Sequence, residues 1–188
     1  LFPQKGKITV EKNRLAIFND TVHISIWSSE KDTLKIRAHK AGEAPQLSAF
    51  FVRKTVDTAP VKVAISGKKR WRVGKYVVTA LEDGFVVFKD GKKCFQSQFK
   101  VEGDYLRENK HCFDKESFYG IGQGSDRFAL ARYRIGLFQE ARYGDRACLY
   151  IPFFFSGGGD AFYYDAHSRD NVKFKNPKSA QVQYSTKK

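Results

Sequence analysis

Apolar and polar residues alternate through much of the first hundred residues of this chain. In the stretch TVHISIWSS (21–29), Val22, Ile24 and Ile26 fall on one side, and DTLKIRAHK (32–40) repeats the pattern. A period of two residues is that of a half-buried β-strand, because successive side chains of a strand point to opposite faces. No segment shows a convincing helical period, so the sequence predicts an all-β protein with little or no helix.

Turn signals separate these alternating runs. Asp-Gly occurs at 83–84 and again at 90–91, and this pair between alternating runs is the strongest short-range signal for a hairpin. We therefore expect an antiparallel meander over 61–101, preceded by a strand, turn and strand over 7–20. Many short strands with regular turn signals indicate a sandwich or a barrel.

The run LYIPFFF (149–155) is the most apolar segment of the chain. It is too short to cross a membrane as a helix, which takes about 20 apolar residues, so no membrane insertion is expected. Pro152 and three consecutive Phe residues are poor helix formers. The pattern predicts a strand buried on both faces, a glycine turn at 157–159 and a returning aromatic strand in DAFYYDAHS (160–168).

Composition limits the class of protein. With 188 residues and 41% hydrophobic content, the chain is long enough for one globular domain over 1–188. The net charge of +14 would suit a polyanion binder. However, Lys and Arg are spread among Asp and Glu, and the densest cluster, GKKRWR (67–72), is short. Nucleic acid is therefore not an expected partner, and a basic polyanion binder is kept as a third alternative.

No metal site or cofactor site is expected. Cys94, Cys112 and Cys148 form no CxxC pair, which is the usual spacing of a zinc site. Either one disulfide or three buried thiols fits their odd number. The glycines of GIGQG (120–124) lack the spacing of a nucleotide-binding loop, and a glycine-permitted turn explains them.

Catalytic residues are not evident in the sequence. A mutarotase-type reaction would need a His acid and a Glu base, and His111 and His167 lie near carboxylates in the sequence. Each is more simply explained as a residue of the surface or of the edge of the core. No carboxylate pair of the kind used in glycoside hydrolysis stands out.

The order of motifs in the second half of the chain resembles that of a known protein family. SFYGIGQ (117–123), LFQEARYGDRA (137–147) and LYIPFFFSGGGDAFYYDAHSRDNVKF (149–174) follow one another. In this order they resemble the N-terminal domain of glycoside hydrolase family 31, which contains α-glucosidases and α-xylosidases. LKIRAH (34–39) and FVVFKDGKK (85–93) match its front half, so the resemblance covers essentially the whole chain.

The resemblance implies a large antiparallel β-sandwich, the galactose mutarotase-like supersandwich. It also implies a non-catalytic domain, because the catalytic carboxylates of this family lie on a C-terminal (β/α)8 barrel. A barrel takes about 250 residues, which this chain cannot contain. The expected partners are therefore the protein's own catalytic barrel and an oligosaccharide substrate. The alternative is a free-standing carbohydrate-binding or mutarotase-like protein.

The same resemblance locates the candidate substrate contacts in the loop 136–147. Glu140 is the first candidate, because a carboxylate accepts hydrogen bonds from two sugar hydroxyls; the secondary candidates are Arg142, Tyr143 and Asp145. The family's usual N-T-D is Gln139-Glu140-Ala141 in this loop, and Gln123 stands where the family has Glu. These departures suggest a divergent member, and the alternative for the loop is a solvated surface segment.

Overall fold

The described part of the chain is built from antiparallel β-strands. The computed structural model describes residues 7–30, 33–43, 62–113, 118–120, 134–136, 153–157, 159–163, 171–176 and 179–185. These residues contain strands and no helix, which confirms the all-β prediction, and accordingly none of them belongs to a helix that could cross a membrane. The chain divides into two compact units, Leu1–Val101 and Glu102–Lys188. That the whole chain is one domain stays a prediction.

The first unit begins with an antiparallel sheet of four strands in sequence order. The strands are β1 (Lys7–Glu11), β2 (Arg14–Phe18), β3 (Val22–Glu30) and β4 (Thr33–Lys40). The strand-turn-strand expected over 7–20 is therefore confirmed. Lys12 and Asn13 make the turn between β1 and β2 with φ of 46° and 61°, the left-handed conformation that suits the twist of a two-residue hairpin.

A meander follows in the same unit. It consists of β5 (Ala64–Gly67), β6 (Arg70–Val73), β7 (Tyr76–Ala80), β8 (Gly84–Lys89) and β9 (Lys92–Glu102), each paired with the next. Asp90 and Gly91 join β8 to β9 with φ of 51° and 77°, so the second Asp-Gly makes the predicted hairpin turn. Gly74, at φ 62°, opens a further turn between β6 and β7 that the apolar pattern did not mark.

The two sheets of the first unit bury their facing sides. Val22, Ile24 and Ile26 of β3 are at most 1% exposed, and Cα atoms of β3 approach those of β6 within 8 Å. In the meander, the ring of Phe85 lies 6.2 Å from the rings of both Phe95 and Phe99. The alternation read from the sequence is thus the division between core and surface.

Asn19 joins the ends of these two sheets. Its side-chain oxygen accepts hydrogen bonds from the Thr21 and Val22 amides at 2.9 and 2.7 Å, which shapes the turn between β2 and β3. Its side-chain nitrogen donates to the Glu82 carbonyl at 3.0 Å, in the loop between β7 and β8. One amide side chain therefore fixes a turn and links the two layers.

Gly84 has a different role from the one that its Asp-Gly pair suggests. It lies at the β7–β8 hairpin as expected, but it is the first residue of β8 and pairs with Gln98 of β9. A Cβ at this position would overlap the Ser97 carbonyl oxygen and lie 2.9 Å from the Cα of Gln98. Glycine is required because the backbone of β9 passes so close.

The second unit contains the remaining strands. They are β10 (Tyr105–Cys112), β11 (Phe118–Gly120), β12 (Arg134–Gly136), β13 (Phe153–Ser156), β14 (Ala161–Tyr163), β15 (Asn171–Asn176) and β16 (Ser179–Ser185). One set pairs in the order β12-β15-β16-β10, and β13 lies between β11 and β14 in a sheet of three strands. The predicted hairpin after the run 149–155 is confirmed, since the Ser156 amide donates to the Asp160 carbonyl at 2.8 Å.

The expectation that the run 149–155 is buried on both faces is wrong for its described part. In β13 burial alternates: Phe154 and Ser156 are at most 1% exposed, whereas Phe153 and Phe155 are 39% and 42% exposed. A strand with both faces covered does occur, but it is β8, in which four consecutive residues from Gly84 to Val87 are buried. Three consecutive Phe residues show that a segment is apolar, but they do not show how many faces of the strand are covered.

Gly84→Ala should destabilise the first unit, because the new methyl group meets the β9 backbone rather than a flexible side chain. We expect a loss of about 1–3 kcal/mol in the free energy of unfolding, as for other overpacked sites, measured by urea titration followed by circular dichroism. Gly91→Asn is the control, since Asn tolerates the left-handed conformation and a Cβ at Gly91 meets nothing within 4 Å. Equal losses in both variants would contradict the close approach of β8 and β9.

Candidate functional site

The loop residues predicted to touch substrate lie outside the described part of the chain. These residues are Glu140, Arg142, Tyr143 and Asp145, and their role in substrate binding stays a prediction. Of the loop 136–147, the structure describes Gly136 alone, the last residue of β12. The next described strand along the chain is β13, whose exposed side carries two Phe residues.

Three aromatic rings cover the outer side of β11 and β13, and we call Tyr119, Phe153 and Phe155 the aromatic face. Tyr119 and Phe155 are cross-strand partners, and their rings stack with centroids 5.5 Å apart and an interplanar angle of 24°. The Phe153 ring lies 6.5 Å from that of Phe155. Alternation along β13 places both Phe side chains outward, because Phe154 and Ser156 point inward.

The aromatic face is suited to covering by another surface. Two Phe side chains exposed by about 40% leave much apolar area in water, where each buried Å² would contribute roughly 25 cal/mol. Clustered apolar exposure of this kind marks interaction sites more often than chance. Aromatic rings held side by side can pack on an apolar protein surface or stack on the flat face of a sugar ring.

The inner side of the same sheet is anchored by a charged pair. The ammonium of Lys110 lies 2.8 Å from a Glu108 carboxylate oxygen, with the side chains 3% and 5% exposed. The same ammonium lies 4.6 Å from the centroid of the Phe162 ring, a cation–π distance. The interaction therefore connects β10 to β14 inside the second unit, and both charges are compensated where they are buried.

Sequence reasoning missed this pair, although a signal was present. Leu106, Glu108, Lys110 and Cys112 alternate along β10, and all four are buried. Two opposite charges at the apolar positions of an alternating strand indicate an internal ion pair, because neither charge would be buried alone. A buried pair adds little net stability, but it fixes which residues of β10 face the sheet of β13.

Two of the four histidines lie together in the structure. His23 and His39 are cross-strand partners in the first sheet, with ring centroids 5.2 Å apart, and the Phe18 ring lies 4.6 Å from that of His23. His111 contacts the Phe113 ring at 5.0 Å, and His167 lies outside the described residues. The structure therefore brings two histidines together, and the sequence did not predict that pair.

The titration of His23 follows from its neighbours. Burial lowers the pKa of His23 below its usual value of 6.5, and the positive charge that His39 acquires lowers it further. Folded His23 consequently binds its proton only at a lower pH than the unfolded chain does.

The described residues include two of the three cysteines and most of the candidate metal ligands of the first unit. Among the residues that the structure describes, no group of three or more His, Cys, Asp or Glu side chains is arranged to hold a metal ion. Cys94 and Cys112 do not form a disulfide with each other, and Cys148 lies outside the described residues.

Antiparallel sheets without helix in the described residues define an all-β sandwich module. A family model identifies the family: the model of the glycosyl hydrolase 31 N-terminal galactose mutarotase-like domain matches residues 4–169 of the chain. The chain belongs to this family, as its sequence resemblance implied. The match extends over both compact units.

Solved structures agree on the fold. A family 31 dextranase of Flavobacterium johnsoniae, in complex with isomaltotriose, has 18% sequence identity and a TM-score of 0.74 over 95% of this chain and 24% of its own. A family 31 α-xylosidase from a soil metagenome, in complex with xylose, has 15% identity and a TM-score of 0.64 over 95% of this chain and 32% of its own. The chain therefore spans about a quarter to a third of these enzymes. Among curated proteins, no sequence matches that of the chain.

The lowered pKa of His23 predicts a pH dependence of stability. As the pH falls through 6.5, the usual pKa of an unfolded histidine, the unfolded chain gains a proton that folded His23 does not yet bind. The unfolded state is thereby favoured, so stability should decrease until the pH reaches the pKa of folded His23. Urea unfolding midpoints between pH 8 and pH 5 measure this slope.

His23→Gln should reduce this slope, because glutamine has no proton to gain. His111→Gln, an exposed histidine of the second unit, is the matched control and should keep the slope of the unmodified chain. A slope that survives His23→Gln unchanged and disappears in the control would contradict the assignment.

Proposed function

We propose that this chain is the non-catalytic N-terminal domain of an α-glycoside hydrolase, and that it packs on a catalytic (β/α)8 barrel. The family match over residues 4–169 is the observation that carries the proposal. Two enzymes with the same fold, one complexed with isomaltotriose and one with xylose, extend far beyond the part that this chain matches. The proposed substrate is an oligosaccharide with α-linkages, of the α-glucoside or α-xyloside type.

The aromatic face supplies the docking surface in this proposal. Phe153 and Phe155 are exposed although they belong to the most apolar run of the sequence, and Tyr119 stacks on one of them. A surface that stays in water does not need three aromatic rings side by side, whereas an interface with a neighbouring domain would bury these rings. In this proposal that neighbouring domain is the catalytic barrel.

Sugar contacts come, in this proposal, from the loop 136–147 and not from the strands. The inward side chains of the described strands are buried in the core, while a loop at one end of a sandwich can reach the mouth of an adjacent barrel. Glu140 accepts hydrogen bonds from sugar hydroxyls, and the ring of Tyr143 stacks on the sugar. Arg142 and Asp145 pair with each other or with the substrate.

An activity assay tests the proposal. The isolated chain should not hydrolyse aryl α-glucoside or aryl α-xyloside even when the protein is in excess, because the catalytic carboxylates are proposed to lie on the barrel. The full-length protein should turn over at least one of the two substrates. Hydrolysis by the isolated chain that a single carboxylate substitution abolishes would overturn the proposal.

The same assay tests the loop. Glu140→Ala in the full-length protein should lower kcat/KM by about tenfold or more, since a hydrogen bond to a charged group contributes about 1.5–3 kcal/mol. The melting temperature should change little, because a loop substitution removes little packing. Glu82→Ala, an exposed carboxylate of the first unit, is the control and should leave kcat/KM unchanged. Unchanged kinetics with a large loss of melting temperature would make Glu140 a structural residue.

A further inference from the structure

The outer side of the sheet β1–β4 carries an excess of positive charge. Strand register places Val22, Ile24 and Ile26 inward, so the alternate positions of the four strands share the opposite side. Within the described register, that side carries two acidic residues, Glu11 and Glu30, and four basic residues, which are Lys7, Arg14, Lys35 and Arg37. Four positive charges against two negative charges leave an excess of two, without any contribution from histidine.

Two of these cations are held in place by one aromatic ring. Trp27 lies on β3, between β2 and β4. The guanidinium carbon of Arg14, on β2, lies 4.8 Å from the centroid of the Trp27 ring, and that of Arg37, on β4, lies 5.5 Å from it. Both distances are in the cation–π range. Stacking on the ring restricts the two side chains, so less conformational freedom is lost when their N–H groups bind a ligand.

Among the side chains that the structure describes, neither arginine forms an ion pair. Glu11, one of the two acidic residues of this side, accepts a hydrogen bond from the Thr9 hydroxyl at 3.2 Å. A stacked guanidinium keeps N–H donors at its edge, and their planar fork matches the two oxygens of an oxyanion. This arrangement fits an anionic ligand and not a neutral sugar, because arginines already occupy the surroundings of the Trp27 ring.

We propose that this surface, which we call the basic face (Lys7, Arg14, Trp27, Lys35 and Arg37), binds a polysaccharide that carries sulfate or carboxylate groups. The inference rests on the proposed function, which makes a glycan the natural polymer for this protein. Repeated anionic groups along such a chain complement cations spread over four neighbouring strands. Binding here would hold the polymer near the enzyme without taking part in the chemistry.

Dextran sulfate and unmodified dextran of equal length are the probes, since they share a backbone and differ in charge. Their affinity for the full-length protein and for the chain alone is measured by calorimetry at physiological salt. Dextran sulfate should bind both proteins, and dextran should bind neither by this face. Because no turnover is measured, a failure here is distinguishable from a failure of the proposed function, which the glycoside assay reports.

Arg14→Gln/Arg37→Gln should weaken dextran sulfate binding about tenfold or more, which corresponds to about 1.4 kcal/mol. The matched control is Lys68→Gln/Lys69→Gln, which removes the same charge from exposed residues of the β5–β6 turn and should weaken binding less than about threefold, as a general charge effect. Arg14→Lys/Arg37→Lys keeps the charge but loses the planar fork, so it should bind more weakly than the unmodified protein. This variant decides the question if the glutamine variant does not fold.

Three results would overturn the proposal. Equal losses in the Arg14/Arg37 variant and in the Lys68/Lys69 control would mean that binding follows net charge alone. Binding by the isolated chain but not by the full-length protein would mean that the basic face is covered in the enzyme. The protein could also bind single-stranded DNA more tightly than dextran sulfate at equal charge concentration. If the same arginine variant loses that binding, the ligand is nucleic acid.

Discussion

The burial of one side of each sheet is the constraint on which the rest of this structure depends. Val22, Ile24 and Ile26 show it in the first unit, and Phe154 and Phe162 show it in the second. Because side chains alternate, a strand with one covered side presents a second set of residues outward, and β8, with both sides covered, is the exception. The chemistry of these outward sets differs: it is basic on the first sheet and aromatic on β11 and β13. Both proposed interactions use a surface that the core leaves available.

Exceptions to simple alternation have physical causes in neighbouring strands. Gly84 is buried and conformationally ordinary, and only the close passage of β9 explains why it has no side chain. Glu108 and Lys110 occupy inward positions because each compensates the other and Phe162 receives the ammonium. Neither exception changes the fold class, but each fixes how one strand lies against its neighbour.

The sequence was sufficient for the fold class and for several turns. Alternation identified β3 and β4, the pair Asp90-Gly91 located a hairpin, and the order of motifs in the second half identified the family. It was insufficient for Phe153 and Phe155, because apolarity alone does not say how many faces of a strand are covered. It was also insufficient for Arg14 and Arg37, which meet Trp27 only through strand register. The candidate residue Glu140 stays a prediction, since the described residues do not include its loop.

We propose above that a neighbouring catalytic barrel covers the aromatic face. Urea unfolding of Phe153→Ser/Phe155→Ser, in the isolated chain and in the full-length protein, tests this most directly, with Phe154→Ala as a control that removes a ring buried in both. The account predicts a change below about 1 kcal/mol in the isolated chain, as for exposed sites. In the full-length protein it predicts a loss of at least about 3 kcal/mol, as for buried aromatic rings. Equally small changes in both proteins would contradict it.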